Sequence, residues 1–195
     1  MIYINENTEE LDVAAALAAV SLQRRDQALK FRHETGRRLS LAAYLLLMDG
    51  LQKEYGIEEP PVFDYLPEGK PYIATRPDIH FSLSHSGHVA MCALSDQPVG
   101  ADVEVLRKIS PSLIAYTMND IEQEQINASA NPVKQFLYFW TRKEALLKLT
   151  GDGIRNDMKS VLAESEKYHF ETVETENFIY STVKYKSLSE NEEGI

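Results

Sequence analysis

The chain has a single cysteine, Cys92, in 195 residues. An internal disulfide is therefore impossible, and a reducing cytoplasm is the simplest home. No apolar run reaches the ~18 residues that a spanning helix needs, so no membrane-crossing segment is expected. The opening MIYINENTEELDV lacks the basic and apolar regions of a secretory signal. Positive charge is also scarce. Twenty Lys and Arg stand against 30 Asp and Glu, a formal net charge of −10. Duplex affinity rests on Lys and Arg set against phosphate, so nucleic acid is not an expected partner. An anionic ligand would need a local basic cluster or a bridging cation.

What is present is the composition of a soluble globular protein, 44% hydrophobic and 26% charged. The length suits one ordinary domain or two small ones. MIYI reads as a short strand. Asn7 and Glu10 have the spacing of a capping box for a helix through LDVAAALAAVSL. The densest basic stretch follows, QRRDQALKFRHETGRR, with six Lys and Arg against Asp26 and Glu34. A helix is expected over 35–54, then a loop rich in Pro and Gly with short extended pieces. The pattern next turns to period two, with strands over 80–84, 89–95 and 99–105. The short D-Q-P turn suggests that the last two form an antiparallel hairpin. Asn119 and Glu122 repeat the capping-box spacing, and a long helix should run over 132–150 and end at GDG. YHFETV and NFIYSTVKY resemble a closing hairpin. The order predicts an α+β fold, with an N-terminal half over 1–98, a C-terminal half over 99–186 and a polar tail over 187–195.

Four groupings carry candidate chemistry. In GADVE, strand alternation sends Asp102 and Glu104 to one face and Ala101, Val103 and Val105 to the other. Adjacent carboxylates repel unless a cation sits between them, and hard oxygens suit Mg²⁺. The triplet alone fits a solvent-facing edge equally well. In HFSLSHSGH, His80, Ser82 and Ser84 share one strand face and His85 falls just past the strand end at the Ser86–Gly87 turn, where amides, hydroxyls and a His can bind phosphate oxygens; a surface turn is the plainer reading. Zinc on His80, His85 and His88 is disfavoured because strand geometry separates His80 from the turn. In WTRKEALLKLTG, Trp140, Glu144 and Lys148 share a helix face at i, i+4, i+8. By itself that is an ordinary Glu–Lys pair worth ~0.2–0.5 kcal/mol. The basic stretch 24–38 and Lys70 in GKPY read as a solvated surface or as an anion-binding wall.

In order and combination, GKPY, FSLSHSG, VGADVE and FWTRKEALLKLTGDGI resemble the signatures of the 4′-phosphopantetheinyl transferases. The likeness is to their long, monomeric, surfactin-synthetase-type branch. Gly100, Asp102, Glu104, Trp140, Lys143, Glu144, Ala145 and Lys148 fit the pattern without a gap. The resemblance implies two similar α+β halves packed as a pseudo-dimer. It implies transfer of the 4′-phosphopantetheine arm of coenzyme A to a serine of an apo acyl or peptidyl carrier protein, releasing adenosine 3′,5′-bisphosphate. It also implies roles. Asp102, Glu104 and Glu144 would hold Mg²⁺. Glu144 would take the serine proton, directly or through water, and Lys148 would meet phosphate oxygen. Ser84, His85, Lys70 and Arg38 would contact the phosphates of coenzyme A, with Arg25, Lys30 and Arg37 as less defined neighbours. Two other classes fit the same acids: a Mg²⁺-dependent phosphohydrolase or nucleotide-binding enzyme, and a non-catalytic binder of carrier protein or coenzyme A.

Overall fold

The computed structural model describes residues 1–153 and 157–186. The expected polar tail, 187–195, lies outside the described residues. In chain order the elements are β1 (Ile2–Asn5), α1 (Val13–Ala19), α2 (Leu22–Leu29), α3 (Glu34–Tyr55), β2 (Phe63–Tyr65), β3 (Pro71–Ile73), β4 (His80–Ser86) and β5 (Val89–Ser95). Then come β6 (Val99–Val105), α4 (Pro111–Thr117), α5 (Asp120–Ala128), α6 (Pro132–Thr150), β7 (Tyr168–Glu174) and β8 (Phe178–Tyr185).

The α+β expectation is met, and the order repeats. One three-stranded sheet is ordered β1-β5-β4 and the other β6-β8-β7, all antiparallel. In each, a first strand is followed by helices, then by a hairpin whose last strand returns to pair with the first. A long helix covers each sheet, α3 on β5 and α6 on β6 and β8. The N-terminal core gathers Leu41, Tyr44, Leu47, Phe63, Phe81 and Leu94. Ala101 and Val103 of β6 pack with Val89, Met91 and Ala93 of β5 between the sheets, as the period-two reading requires.

The two sheets are joined by side chains. Ser82, Ser84 and Ser86 all point from β4 toward β6, and each hydroxyl accepts a backbone N–H: Ala101 at 2.9 Å, Val103 at 3.3 Å and Val105 at 3.4 Å. Three serines at alternate positions thus stand in for a backbone ladder between the repeats.

Several local expectations are corrected. β5 and β6 do not form a hairpin; both edges of β5 are already taken by β1 and β4, so β6 pairs with β8. β4 runs on to Ser86, so His85 lies within the strand, opposite Ala90. Asn7 precedes a single tight turn, Thr8–Glu10, and makes no side-chain cap. Thr8 pins that turn to the carbonyl of His88, and Asp12 caps α1 with bonds to the amides of Ala14 and Ala15. The predicted helix is broken at Val20, and Ser21 caps α2. The reciprocal box of Asn119 and Glu122 is present at α5. α6 ends at Gly151, whose φ of 83° only glycine adopts freely.

Candidate active site

Helix α6 lies against β6 backbone to backbone. A side chain at Gly100 would strike the carbonyl oxygen of Ala145, and its Cβ would stand 2.7 Å from the amide nitrogen of Leu149. That absence of a side chain lays the Trp140–Glu144–Lys148 face along the acid face of β6. At one end, the Trp140 indole N–H donates to Glu104 Oε1 at 3.2 Å. At the other, Lys148 Nζ donates to Asp102 Oδ1 at 2.7 Å and to Ser84 Oγ at 2.9 Å. Ser84 in turn donates to Asp102 Oδ1 at 2.7 Å. Glu144 falls between the two ends and faces a cleft of about 630 Å³.

Both repeats wall this cleft, Ser84 and His85 from the first and Asp102, Glu144 and Lys148 from the second. The site residues expected from the sequence are thus largely brought together. Lys70 is also on the wall, but its ammonium is turned to backbone, 2.9 Å from the carbonyl of Leu149 and 3.4 Å from that of Val99. It completes the C-terminal end of α6, where a cation is favourable. Arg38 pairs with Glu34 one turn back on α3. Arg25 donates to the carbonyl of Leu17 and Arg37 to that of Phe31.

The arginine on the cleft wall is Arg24, which the sequence reading did not single out. It is 8% exposed and donates to the carbonyl and hydroxyl of Ser40 and to Gln27 Oε1. Its Nε has no hydrogen-bond partner, and among the described residues it forms no ion pair with a carboxylate. A buried guanidinium that faces a cleft without a counter-ion is an anion site by its chemistry. The signal was hidden because an arginine in a polar helix reads as surface.

The acids are under electrostatic load. Burial, with the nearby Asp102 carboxylate, pushes Glu144 from 4.5 up to about 7, against the opposing pull of Lys148. Glu104 is raised for the same leading reason, burial. Two buried carboxylate oxygens, Asp102 Oδ2 and Glu144 Oε1, lack any hydrogen-bond partner. Hard oxygen donors left bare beside mutually repelling acids fit a divalent cation. Glu104 is engaged elsewhere, with Ser86 at 2.7 Å, Trp140, and Arg107 at 3.7 Å. As they stand, no three His, Cys, Asp or Glu side chains among the described residues enclose a metal-sized space unaided. His85 is held below its ordinary pKa, first by burial among the cleft walls and then by Lys148, so it is neutral at neutral pH.

Lys143, beside Glu144 in sequence, turns the other way. It is fully buried, and its ammonium sits 2.6 Å from Glu122 Oε2 and 2.8 Å from the carbonyl of Thr117. It ties the junction of α4 and α5 to α6 and thereby fixes the helix that carries Glu144.

Residues 98–190 match the sequence pattern of the 4′-phosphopantetheinyl transferase superfamily. Among similar proteins, a 4′-phosphopantetheinyl transferase of Bacillus subtilis is 31% identical over 71% of this chain and 63% of its own length. The transferase Sfp of Bacillus subtilis strain 168 is 26% identical over 78% of this chain and 70% of its own. HetI of Nostoc is 37% identical over 73% of this chain and 63% of its own. The chain thus spans somewhat under two thirds of the length of two of these three relatives. The family match begins one residue before β6 and runs through α6 into the closing hairpin, the segment that supplies Asp102, Glu144 and Lys148; the chain belongs to the 4′-phosphopantetheinyl transferase superfamily.

Proposed function

We propose that this protein moves the 4′-phosphopantetheine arm of coenzyme A to a serine hydroxyl of an apo carrier protein, with release of adenosine 3′,5′-bisphosphate. The observation that carries this reading is the junction of α6 and β6, where Asp102, Glu144 and Lys148 share one cleft with Ser84 and His85. The cleft volume lies within the ~300–1,000 Å³ usual for small-molecule sites.

The residues divide the work. Arg24 and Lys148 present fixed positive charge to the phosphates, and Ser84 and His85 add neutral hydrogen-bonding groups. Lys70 and Arg38 are placed further from that role, since backbone and Glu34 hold them. Mg²⁺ held by Asp102, Glu104 and Glu144 would supply positive charge against the pyrophosphate and the departing bisphosphate. Glu144 would accept the serine proton, directly or through water; its proton affinity near 7 is that of the metal-free site, and a bound cation would lower it and favour the route through water. Lys148 stands beside Asp102 to meet charge on the leaving oxygen. We take the protein as a cytoplasmic monomer whose halves, 1–98 and 99–186, build the site within one chain. None of its described helices is long and apolar enough to cross a membrane.

The test is incubation with coenzyme A, Mg²⁺ and apo carrier proteins, following carrier mass. A phosphopantetheine adduct supports transfer. Consumption of coenzyme A with the carrier unchanged supports the phosphohydrolase reading instead.

A further inference from the structure

Helix α2 is built inside out. Arg24 and Ala28 face inward and are buried, while Leu22 and Leu29 are 73% and 49% exposed. Seven residues bring a helix back to within ~20° of its start, so the two leucines form one outward stripe. Phe31, just past the helix, is also exposed and also lines the cleft. An ordinary surface helix turns its leucines to the core. Single exposed leucines need no explanation, but an aligned pair followed two residues later by an exposed aromatic that lines a cleft does. Lys30 and Arg32 flank the stripe, exposed and without a partner among the described residues. Residues 24–38 carry six Lys and Arg against two acids in a chain of net charge −10.

We propose that this face of α2 docks the acceptor carrier protein, an acidic domain with apolar residues beside its serine; the proposal rests on the transferase reading. Two acidic proteins repel overall, so the encounter needs local positive charge; beside this stripe the exposed Lys30 and Arg32 supply it against a single acid, Asp26, while Arg24 is buried on the inner side and Arg38 is paired with Glu34. The stripe borders the cleft through Phe31, which puts one edge of the docked domain at the cleft rim. Its small apolar area suits a transient encounter rather than a stable complex.

The experiment measures KM for an apo acyl carrier protein, KM for coenzyme A and kcat in the wild type, Leu22→Ser/Leu29→Ser and Leu22→Asp/Leu29→Asp. Both substituted side chains, Leu22 and Leu29, are exposed, and melting curves establish that the variants are folded. The expected result is a carrier KM raised several-fold by Ser and at least about tenfold by Asp, with kcat and the coenzyme A KM unchanged. Added salt should raise the wild-type carrier KM. An unchanged carrier KM in active, folded variants overturns the docking face and leaves the transferase reading intact. No transfer by the wild type to any carrier overturns the transferase reading, and the docking face with it. Wild-type cosedimentation with phosphatidylserine vesicles that is lost in Leu22→Asp/Leu29→Asp, with carrier KM unmoved, overturns the proposal in favour of a membrane surface.

Discussion

Lys148 and Asp102 meet where α6 crosses β6, ammonium to carboxylate at 2.7 Å, with the Ser84 hydroxyl bonded to both. The contact joins the two repeats at the cleft. Lys148→Met removes the cation and leaves Asp102, only 5% exposed, with Ser84 as its one side-chain donor among the described residues. The expected cost is about 1–3 kcal/mol of stability, with a fall in kcat on the order of 10²-fold. Urea unfolding and steady-state kinetics check the two effects separately.

Glu144 should make metal-free stability depend on pH in a direction unusual for a carboxylate. Its folded pKa, about 7, lies above the ordinary 4.5. Between those values the folded state holds a proton that the unfolded state has lost. Its contribution is therefore full below pH 4.5 and is lost as pH rises through 7. Glu144→Gln should stabilise the chelator-treated protein by about 2–3 kcal/mol at pH 8 and by little at pH 4, while abolishing transfer. Denaturant melts at the two pH values measure it.

Mg²⁺ should relieve the same load. Titrating the metal into the wild type at pH 7 should raise the melting temperature and release protons. In Asp102→Asn/Glu144→Gln both effects should largely disappear. Calorimetry in two buffers of different ionisation enthalpy reads the proton release.

Gly100→Ala should cost about 3 kcal/mol or more, because the added methyl meets the backbone of Ala145 and Leu149 rather than a movable side chain. Thermal unfolding checks this.

Lys143 and Glu122 form a buried pair, so removing one charge should cost about 3–5 kcal/mol, whereas Lys143→Met/Glu122→Leu together should cost far less. A double-mutant cycle measures the difference.

Much of this architecture is legible in residue order. Asp102 and Glu104 were placed on one strand face by period two alone, and α6 matches its expected 132–150 span because Pro, a helical stripe and Gly151 mark its ends. The misses are non-local. Nothing within D-Q-P reveals that β5 already has neighbours on both edges. Nothing near Asn7 reveals that Thr8 is held by His88, eighty residues away. Arg24 was overlooked because α2 buries its arginine and exposes its leucines, the reverse of the pattern on which helix faces are read. Ser82 and Ser84 read as one strand face and Ser86 as part of the turn beyond it, while the partner strand that all three meet could be found only in three dimensions.

On the proposed reading, Asp102, Glu144 and Lys148 transfer an arm to a protein hydroxyl rather than release it to water. Intact-mass spectrometry of an apo carrier after incubation with coenzyme A and Mg²⁺ tests this most directly. The expected result is one phosphopantetheinyl group per carrier and one adenosine 3′,5′-bisphosphate per group, both lost in Glu144→Gln. Adenosine 3′,5′-bisphosphate formed while the carrier mass stays unchanged, or full transfer by Asp102→Ala and Glu144→Ala, would contradict it.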